Sequence, residues 1–293
     1  MNILLTGGAS DLAQVLTPQL LANGHTVARL DIRRPADDSG EFIQGSITDR
    51  EMLGQHLRGV ACVVHIAAWH GIHEVTGQKD VFAFWDVNVT GTFNTLEMSV
   101  RAGVKQFVYI SSTSVDERFG VYGHTKVLGE EIARTYAARH GLKVMILRPR
   151  AFIPHWNRAT YSNYIEWAHW FWGGAVHIDD VAQATRLAIA ALTHNTYPEP
   201  PVLVVDGAYD YTPDDLAHWD ADGPGSTFRR VYPGYESLVR GYGLDPARQP
   251  KTYDISQTRQ ILGYDPQYSL RHLLLELAQF GESGPPVGGK RGQ

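Results

Sequence analysis

A single cysteine, Cys62, occurs in 293 residues. An intrachain disulfide is therefore excluded, and the setting of Cys62 in the apolar run VACVVHIAA points to a buried thiol in a reducing compartment. No apolar stretch approaches the length of a membrane span. The opening MNILLTGG carries no basic leader, and glycines break its apolar run within a few residues. Both absences lead to the expectation of a cytoplasmic protein with no membrane segment. There is also no surplus of positive charge: 26 Lys and Arg stand against 31 Asp and Glu, for a net charge of −5, and the basic residues are scattered. That excludes the electrostatic footprint of a nucleic-acid-binding protein. No internal repeat is present. What remains is 43% hydrophobic and 19% charged, an ordinary globular composition. The length suffices for one large domain, or for a nucleotide-binding core with a smaller lobe.

Strand-like and helix-like segments alternate through the first two thirds. Residues 2–6 form a short apolar run ending at Thr6-Gly7-Gly8, followed by apolar residues at Leu12, Val15, Leu16, Leu20 and Leu21, the pattern of strand, tight turn and amphipathic helix. HTVARLD reads as a second strand closing at Asp31. The runs ACVVHIA, QFVYIS, KVMILR and PVLVVD follow, each after a helical or mixed segment, as buried parallel strands do. From about residue 150 the regularity weakens, and four of the seven tryptophans fall in PHWNRATYSNYIEWAHWFWGG. The division expected is a core over 1–150 and a mixed region over 151–282, with a helix at 179–194 and a strand at 202–206 returning to the core. Residues 283–293, the end of GESGPPVGGKRGQ, are a flexible tail by composition. The fold class read from this alternation is α/β with a parallel sheet and a second lobe.

The first turn reads Thr6-Gly7-Gly8-Ala9-Ser10-Asp11-Leu12-Ala13. Glycines between a strand and a helix let the backbone approach a pyrophosphate, which the helix N-terminus attracts through its free N–H groups and dipole. Asp31 ends the second strand, where a carboxylate accepts hydrogen bonds from an adenosine ribose and repels a 2′-phosphate. Arg33 and Arg34 argue the other way, since either could reach such a phosphate. The balance favours NAD over NADP.

Tyr122 and Lys126 lie four apart in YGHTKVLGEE, so both leave one face of a helix, a turn from each other. An ammonium a few ångströms from a phenol favours the phenolate, which suits the tyrosine to exchange protons near neutrality. Thr113, at the end of the preceding strand, could hold the same substrate oxygen.

The motifs TGGASDLA, LDIRR, GSITD, HIAA, NVTGT, ISST, YGHTK, LRP, VHIDDVA and DISQTRQILGYDP, in this order, resemble those of extended short-chain dehydrogenases/reductases of the NAD-dependent epimerase/dehydratase family, from residue 1 to about 280. The resemblance implies seven strands in a doubly wound, Rossmann-like parallel sheet and a smaller substrate lobe from the C-terminal third. It further implies that Thr113, Tyr122 and Lys126 are catalytic and that Asn88 of NVTGT supports the lysine. The cofactor contacts implied are Gly7, Ser10, Asp31, Ile32, Arg33, Ser46, Ile47, Ala67, Ala68, Tyr122 and Lys126. It also implies a homodimer through helices near 80–101 and 122–140. The activity implied is NAD-dependent hydride transfer at a sugar hydroxyl, foremost nucleotide-sugar epimerisation. The alternatives are dehydrogenation of a small free sugar or uronic acid, and a dinucleotide-binding sensor or scaffold without catalysis.

Several positions depart from the family's pattern. Ser10 and Ala13 stand at the second and third glycine positions of the usual turn, and Ser10 could equally be a helix N-cap. Ser46 replaces an acid often found near adenine. The spacing from Thr113 to Tyr122 is short, so something else must cover the nicotinamide. Asp116 and Glu117 are out of register with the Asp-Glu pair of the family's dehydratases, with Ser114 and Val115 intervening, which argues against that reaction. Arg150, Trp156 and Arg158 are candidate substrate contacts. Trp156, Trp167, Trp170 and Trp172 either stack on a ligand or pack in the interior, and packing is favoured. His70, His73 and Glu74 have metal-like spacing but follow HIAA in a cofactor-adjacent loop, so no metal is expected. His177 is read as ordering a loop.

Overall fold

The computed structural model describes residues 1–117 and 120–287. Residues 288–293, most of the segment read as a flexible tail, lie outside the described residues. The chain divides into two compact units. The first comprises Met1–Arg150, Val181–Val205 and Ile255–Tyr264; the second comprises Ala151–Asp180, Asp206–Asp254 and Asp265–Gln293.

In chain order the first unit begins with β1 (Asn2–Thr6), α1 (Asp11–Ala22), β2 (Thr26–Asp31), β3 (Glu41–Gln44), α2 (Arg50–His56) and β4 (Cys62–His65). Next come α3 (Gly71–Val75), α4 (Val81–Phe84), a π-helical turn at Trp85–Gly91, α5 (Thr92–Ala102) and β5 (Gln106–Ile110). A 3-10 turn at Thr113–Asp116 leads to α6 (Val121–His140) and β6 (Lys143–Pro149). The remaining elements are α7 (Tyr164–Trp172), α8 (Ile178–His194), β7 (Val202–Val205), α9 (Pro213–Ala217), α10 (Ser226–Val231), α11 (Glu236–Gly241), α12 (Ser256–Leu262) and α13 (Leu270–Phe280).

The seven strands pair in parallel in the order β3-β2-β1-β4-β5-β6-β7. Period-two alternation decides which side each residue serves. Leu4, Leu30, Val63, Phe107, Val144 and Ile146 join Leu53, Leu96 and Ala133 of α2, α5 and α6, and Leu57 at the C-cap of α2, in one buried layer. Each such side chain contributes about 1.5–3 kcal/mol on burial. Ile3 and Leu5 of β1 alternate with Leu4 and are equally buried. Arg186 of α8 donates from Nε to Oε1 of Gln19 on α1 at 2.8 Å. The strand order reverses between β1 and β4, and in such sheets a crevice opens outside the carboxyl ends of the strands at that point.

Besides Val181–Val205, which carries most of α8 and all of β7, the segment Ile255–Tyr264 belongs to the first unit, where the Thr258 hydroxyl of α12 donates to the Val204 carbonyl of β7. β3 was not singled out from the sequence, because EFIQ is four residues long and has only two apolar side chains.

The second unit has its own aromatic core of Tyr164, Trp167, Phe171, Trp172, Phe228 and Tyr232, with Leu273, Leu274 and Leu277 of α13. Its indoles are satisfied by backbone: Trp167 Nε1 donates to the Ile153 carbonyl at 2.9 Å and Trp172 Nε1 to that of Asp245 at 2.8 Å. Trp167 and Trp172 are thus packing residues, Trp170 packs at the edge of the same core, and Trp156 is half-buried outside it. His177 stacks on Tyr268 at 4.2 Å between ring centres, while the Asp180 carboxylate accepts from the amides of Gln267 and Tyr268 at 2.8 and 3.1 Å.

Candidate active site

At the reversal point, β1 hands over to α1 through two glycines with different duties. Gly7 has φ of +69°, which L side chains rarely adopt, and a Cβ there would lie 2.8 Å from the Ala67 amide nitrogen. Gly8 packs on β2, where an added Cβ would come within 2.6 Å of the Arg29 Cβ. The Ser10 hydroxyl caps α1, accepting from the Ala13 amide at 3.3 Å. Of the two readings of Ser10, this contact is the N-cap. Asp31 accepts from the Ala9 amide on Oδ2 and from the Arg33 amide on Oδ1, both at 2.9 Å, so its carboxylate is fixed beside the turn. Arg33 is exposed, whereas Arg34 pairs with Asp38 at 3.7 Å and lies over the Phe42 ring.

Beneath the turn lies Arg29, which the sequence reading passed over. It is fully buried and donates from Nε to the Gly8 carbonyl at 2.7 Å and from Nη1 to Asp37 at 2.7 Å. That guanidinium bond and the Ser39 amide hold the Asp37 carboxyl below its usual range, although burial, the largest influence, acts in the opposite direction. His65 at the end of β4 bridges Thr6 and Thr92, 2.9 Å from Oγ1 of the first and 3.0 Å from Oγ1 of the second. Burial, with the Lys126 charge assisting, pushes it down to about 3, so the ring is neutral. Ile32 is exposed at the end of β2, and the Ser46 and Thr48 hydroxyls bond each other at 2.8 Å. Ile47 is buried against Gly91, with Ala67 and Ala68 half-buried after β4.

Tyr122 and Lys126 stand on α6 as their spacing predicts. The Lys126 ammonium donates to the Ile110 carbonyl at 2.8 Å and lies 5.9 Å from the centre of the Tyr122 ring. Burial lowers the amine to about 7, with Glu130 one turn further along opposing. The phenol does not follow the expectation of a lysine-lowered value. Burial raises it, and the influence that lowers it is a hydrogen bond with the Ser112 hydroxyl. Ser112 also caps the 3-10 turn, accepting from the Ser114 amide at 3.0 Å. Thr113 is buried one residue on, at the head of that turn. Ser112 was missed because the sequence offers adjacent hydroxyls in ISST, and only the local backbone decides which one turns toward the phenol.

Two further glycines bring α6 close. A Cβ on Gly123 would lie 2.4 Å from the Ser114 carbonyl oxygen, and one on Gly129 would lie 2.0 Å from the Tyr109 hydroxyl. Asn88, on the π-helical turn, accepts from the Trp69 amide at 2.7 Å and donates to the Trp69 carbonyl at 3.0 Å and to the Thr125 hydroxyl at 3.1 Å. Its side chain thus bonds Trp69 and Thr125, the residue preceding Lys126. Glu130, almost fully buried, accepts from Ser111 at 2.6 Å and from Arg148 at 2.8 and 2.7 Å.

Glu74 leaves α3 to accept from the amides of Val121 and Tyr122 at 2.7 and 2.9 Å. His73 Nδ1 accepts from the His70 amide at 3.0 Å. Among the described residues no group of three potential ligands could hold a metal. Asp116 and Glu117 are exposed. Arg150 is buried at the end of the first unit, its amide donating to the Val205 carbonyl at 2.9 Å. Arg158, in the second unit, is exposed and donates to the Ser162 carbonyl at 3.3 Å. No described helix is long and apolar enough to cross a membrane.

The chain is similar to several known proteins. The uncharacterized protein y4nG of Sinorhizobium fredii is 28% identical, covering 99% of this chain and 81% of its own length. The 3 beta-hydroxysteroid dehydrogenase/Delta 5-->4-isomerase of Mycobacterium tuberculosis is 27% identical over 94% of this chain and 89% of its own. A crystal structure of UDP-glucuronic acid 4-epimerase from Bacillus cereus in complex with NAD shares the fold, with a TM-score of 0.68 at 21% identity over 94% of each chain. The profile of the NAD dependent epimerase/dehydratase family matches residues 3–163, a span that runs from the glycine turn through Asp31, Asn88, Tyr122 and Lys126 and past Arg150, and the chain belongs to that family.

Proposed function

We propose that the protein is an NAD-dependent epimerase/oxidoreductase acting on a secondary hydroxyl of a sugar, with a nucleotide sugar as the foremost substrate. The observation that carries this reading is the assembly of Tyr122, Lys126, Ser112 and Thr113 beside a glycine turn whose Asp31 carboxylate is fixed for a ribose. The turn fits a dinucleotide: its glycines are bare where a Cβ would meet neighbouring backbone, and the N-terminus of α1 opens there. Gly7, Ser10, Asp31, Ile32, Arg33, Ser46, Ile47, Ala67, Ala68 and Lys126 would hold the cofactor. NAD, when bound, supplies the hydride acceptor.

Tyr122 Oη takes the proton of the substrate hydroxyl, and the Ser112 hydroxyl steadies the phenolate. Thr113 would orient the reacting oxygen. Lys126, tethered to the Ile110 carbonyl, keeps a positive charge at the tyrosine's flank in its protonated form. An epimerisation would be completed by return of the hydride to the other face of the keto carbon together with the proton from Tyr122 to its oxygen; release of the ketone, with the hydride left on the cofactor, would make the reaction a dehydrogenation.

The second reading is dehydrogenation of a small free sugar or uronic acid. It is favoured by the short segment after Arg150, whose Trp167 and Trp172 are spent on packing rather than left for a nucleotide. Incubating the protein with nucleotide sugars, free sugars and a 3β-hydroxysteroid without added cofactor separates the readings. Turnover with co-purified NAD supports epimerisation, a stoichiometric demand for NAD supports dehydrogenation, and tight NAD binding with no turnover of any alcohol supports a sensor.

The reading includes a homodimer and a cytoplasmic location. Phe82, Trp85 and Phe93, 73%, 51% and 41% exposed, form part of an apolar surface over α4, the π-helical turn and α5, where a second copy would cover them. Cys62 is a buried free thiol that burial pushes up to about 12, in keeping with a reducing compartment.

A further inference from the structure

The N-terminus of α6 does not cap itself. Its N-cap is Gly120, there is no side-chain cap bond, and its first turn holds no acidic residue. The first amides of a helix need acceptors from elsewhere. Here Glu74 supplies them from α3, 48 positions before Tyr122 in the chain, with one carboxylate oxygen on the Val121 amide at 2.7 Å and the other on the Tyr122 amide at 2.9 Å. The carboxylate charge is favourable at a helix N-terminus. Gly120 lies so near that a Cβ there would be 3.3 Å from Glu74 Oε2. Gly71, the first residue of α3, lies against the phenol ring itself, where an added Cβ would be 3.3 Å from Tyr122 Cδ1.

The segment carrying Glu74 is fixed at its other end too. Asn88 holds Trp69 by both its amide and its carbonyl, and donates as well to Thr125 on α6. Residues 69–75 thus run between two anchors on the same helix turn, one behind Tyr122 at Thr125 and one in front at its own amide.

We propose that Glu74 is a positioning residue for Tyr122, seating the first turn of α6 so that the phenol meets the Ser112 hydroxyl, and that residues 69–75 take the place of the segment that is short between Thr113 and Tyr122. The inference rests on the reading of Tyr122 as the acid–base group. It makes Glu74, with its metal-like histidine neighbours, a clasp on the site rather than a ligand.

The test compares Glu74→Ala with a double variant, Glu74→Ala and Gly120→Asp, in the NAD-loaded protein. Gly120 has φ of −87° and ψ of 150°, which any residue adopts, so an aspartate there restores an ordinary N-cap without restoring the tie to α3. Expected in Glu74→Ala is a loss of kcat on the order of tenfold to a hundredfold, as for a slightly misplaced reacting group. KM and NAD affinity stay within about twofold, and kcat is not recovered in the double variant. Recovery of full turnover by the double variant overturns the proposal, because capping alone would then suffice.

A readout independent of turnover is the Tyr122 phenol titration, followed by NMR of 13C-labelled tyrosine and assigned with Tyr122→Phe. Loss of a nearby negative charge alone lowers the midpoint. Loss of the Ser112 contact raises it, and the proposal requires a rise. A fall or no change contradicts the proposal even if no sugar is ever turned over. A rise with no turnover by the wild-type protein leaves Glu74 as the tie and removes the acid–base reading instead.

Discussion

At the scale of residues, the chemistry-bearing groups legible in the sequence were those whose spacing follows a local period. Tyr122 and Lys126 share a face because α6 is a regular helix, and Asp31 sits beside the glycine turn because β2 runs parallel to β1. Groups brought in by the fold over long separations left no such signal: Glu74 meets the Tyr122 amide across 48 positions, and Arg29 grips Gly8 across 21. Asp31→Ala should shift the preference between NAD and NADP toward NADP by on the order of tenfold in Kd, since each 1.4 kcal/mol of lost discrimination is a factor of ten. Titration calorimetry with both nucleotides measures it, and an unchanged ratio removes the ribose role. Ser112→Ala should raise the phenol's titration midpoint, because the bond that lowers it is lost. The pH profile of kcat then moves its acid limb upward, which a stopped assay over pH 6 to 10 detects.

At the scale of elements, α6 explains how the site is assembled. Gly123 admits the Ser114 carbonyl and Gly129 admits the Tyr109 ring, so the helix lies nearer to β5 and its following turn than any side chain would allow. Gly129→Ala places a methyl where the Tyr109 hydroxyl already is. Overpacking of this kind costs about 1–3 kcal/mol, to be measured as a shift in urea midpoint at unchanged m-value. A variant as stable as the parent would mean the contact is easily relieved. Strands with apolar runs, β1, β2 and β4 to β7, could be read directly, whereas β3 could not, being short and half polar. The π-helical turn carrying Asn88 gave no sequence sign, since one extra residue in a helix turn leaves the apolar pattern nearly intact; such turns often occur at functional sites. The tryptophans after residue 150 were legible as aromatic but not as core, because burial depends on partners such as Phe228 and Leu273 that lie far along the chain.

At the scale of the whole molecule, one buried histidine, His65, and three half-buried ones, His70, His155 and His177, set the response to acid. Burial lowers His65 to about 3 and His70, His155 and His177 to about 4, against an ordinary 6.5. A histidine lowered in the folded state binds its proton first in the unfolded chain, so its contribution is complete above pH 6.5 and is lost as the pH falls toward 4. Asp180, raised to about 6 by burial, opposes over the same window, because there it already holds a proton in the folded state. Unfolding near pH 5 should therefore take up protons on balance, and the melting temperature should fall between pH 6.5 and 4.5. A flat melting curve over that range contradicts the burial of these rings. The apolar surface at Phe82 and Trp85 predicts that Phe82→Asp with Trp85→Asp converts a dimer to a monomer in sedimentation equilibrium, with the fold retained. A parent protein already monomeric at micromolar concentration removes the dimer.

The proton on the substrate hydroxyl is the centre of the account, and Tyr122→Phe tests it most directly because it deletes one oxygen and leaves the ring. With the sugar identified by the cofactor-free screen, turnover and NAD affinity are to be measured on the same preparation. The account predicts that turnover falls by about 10²–10⁴-fold while NAD binds as before; full turnover in the variant would contradict it.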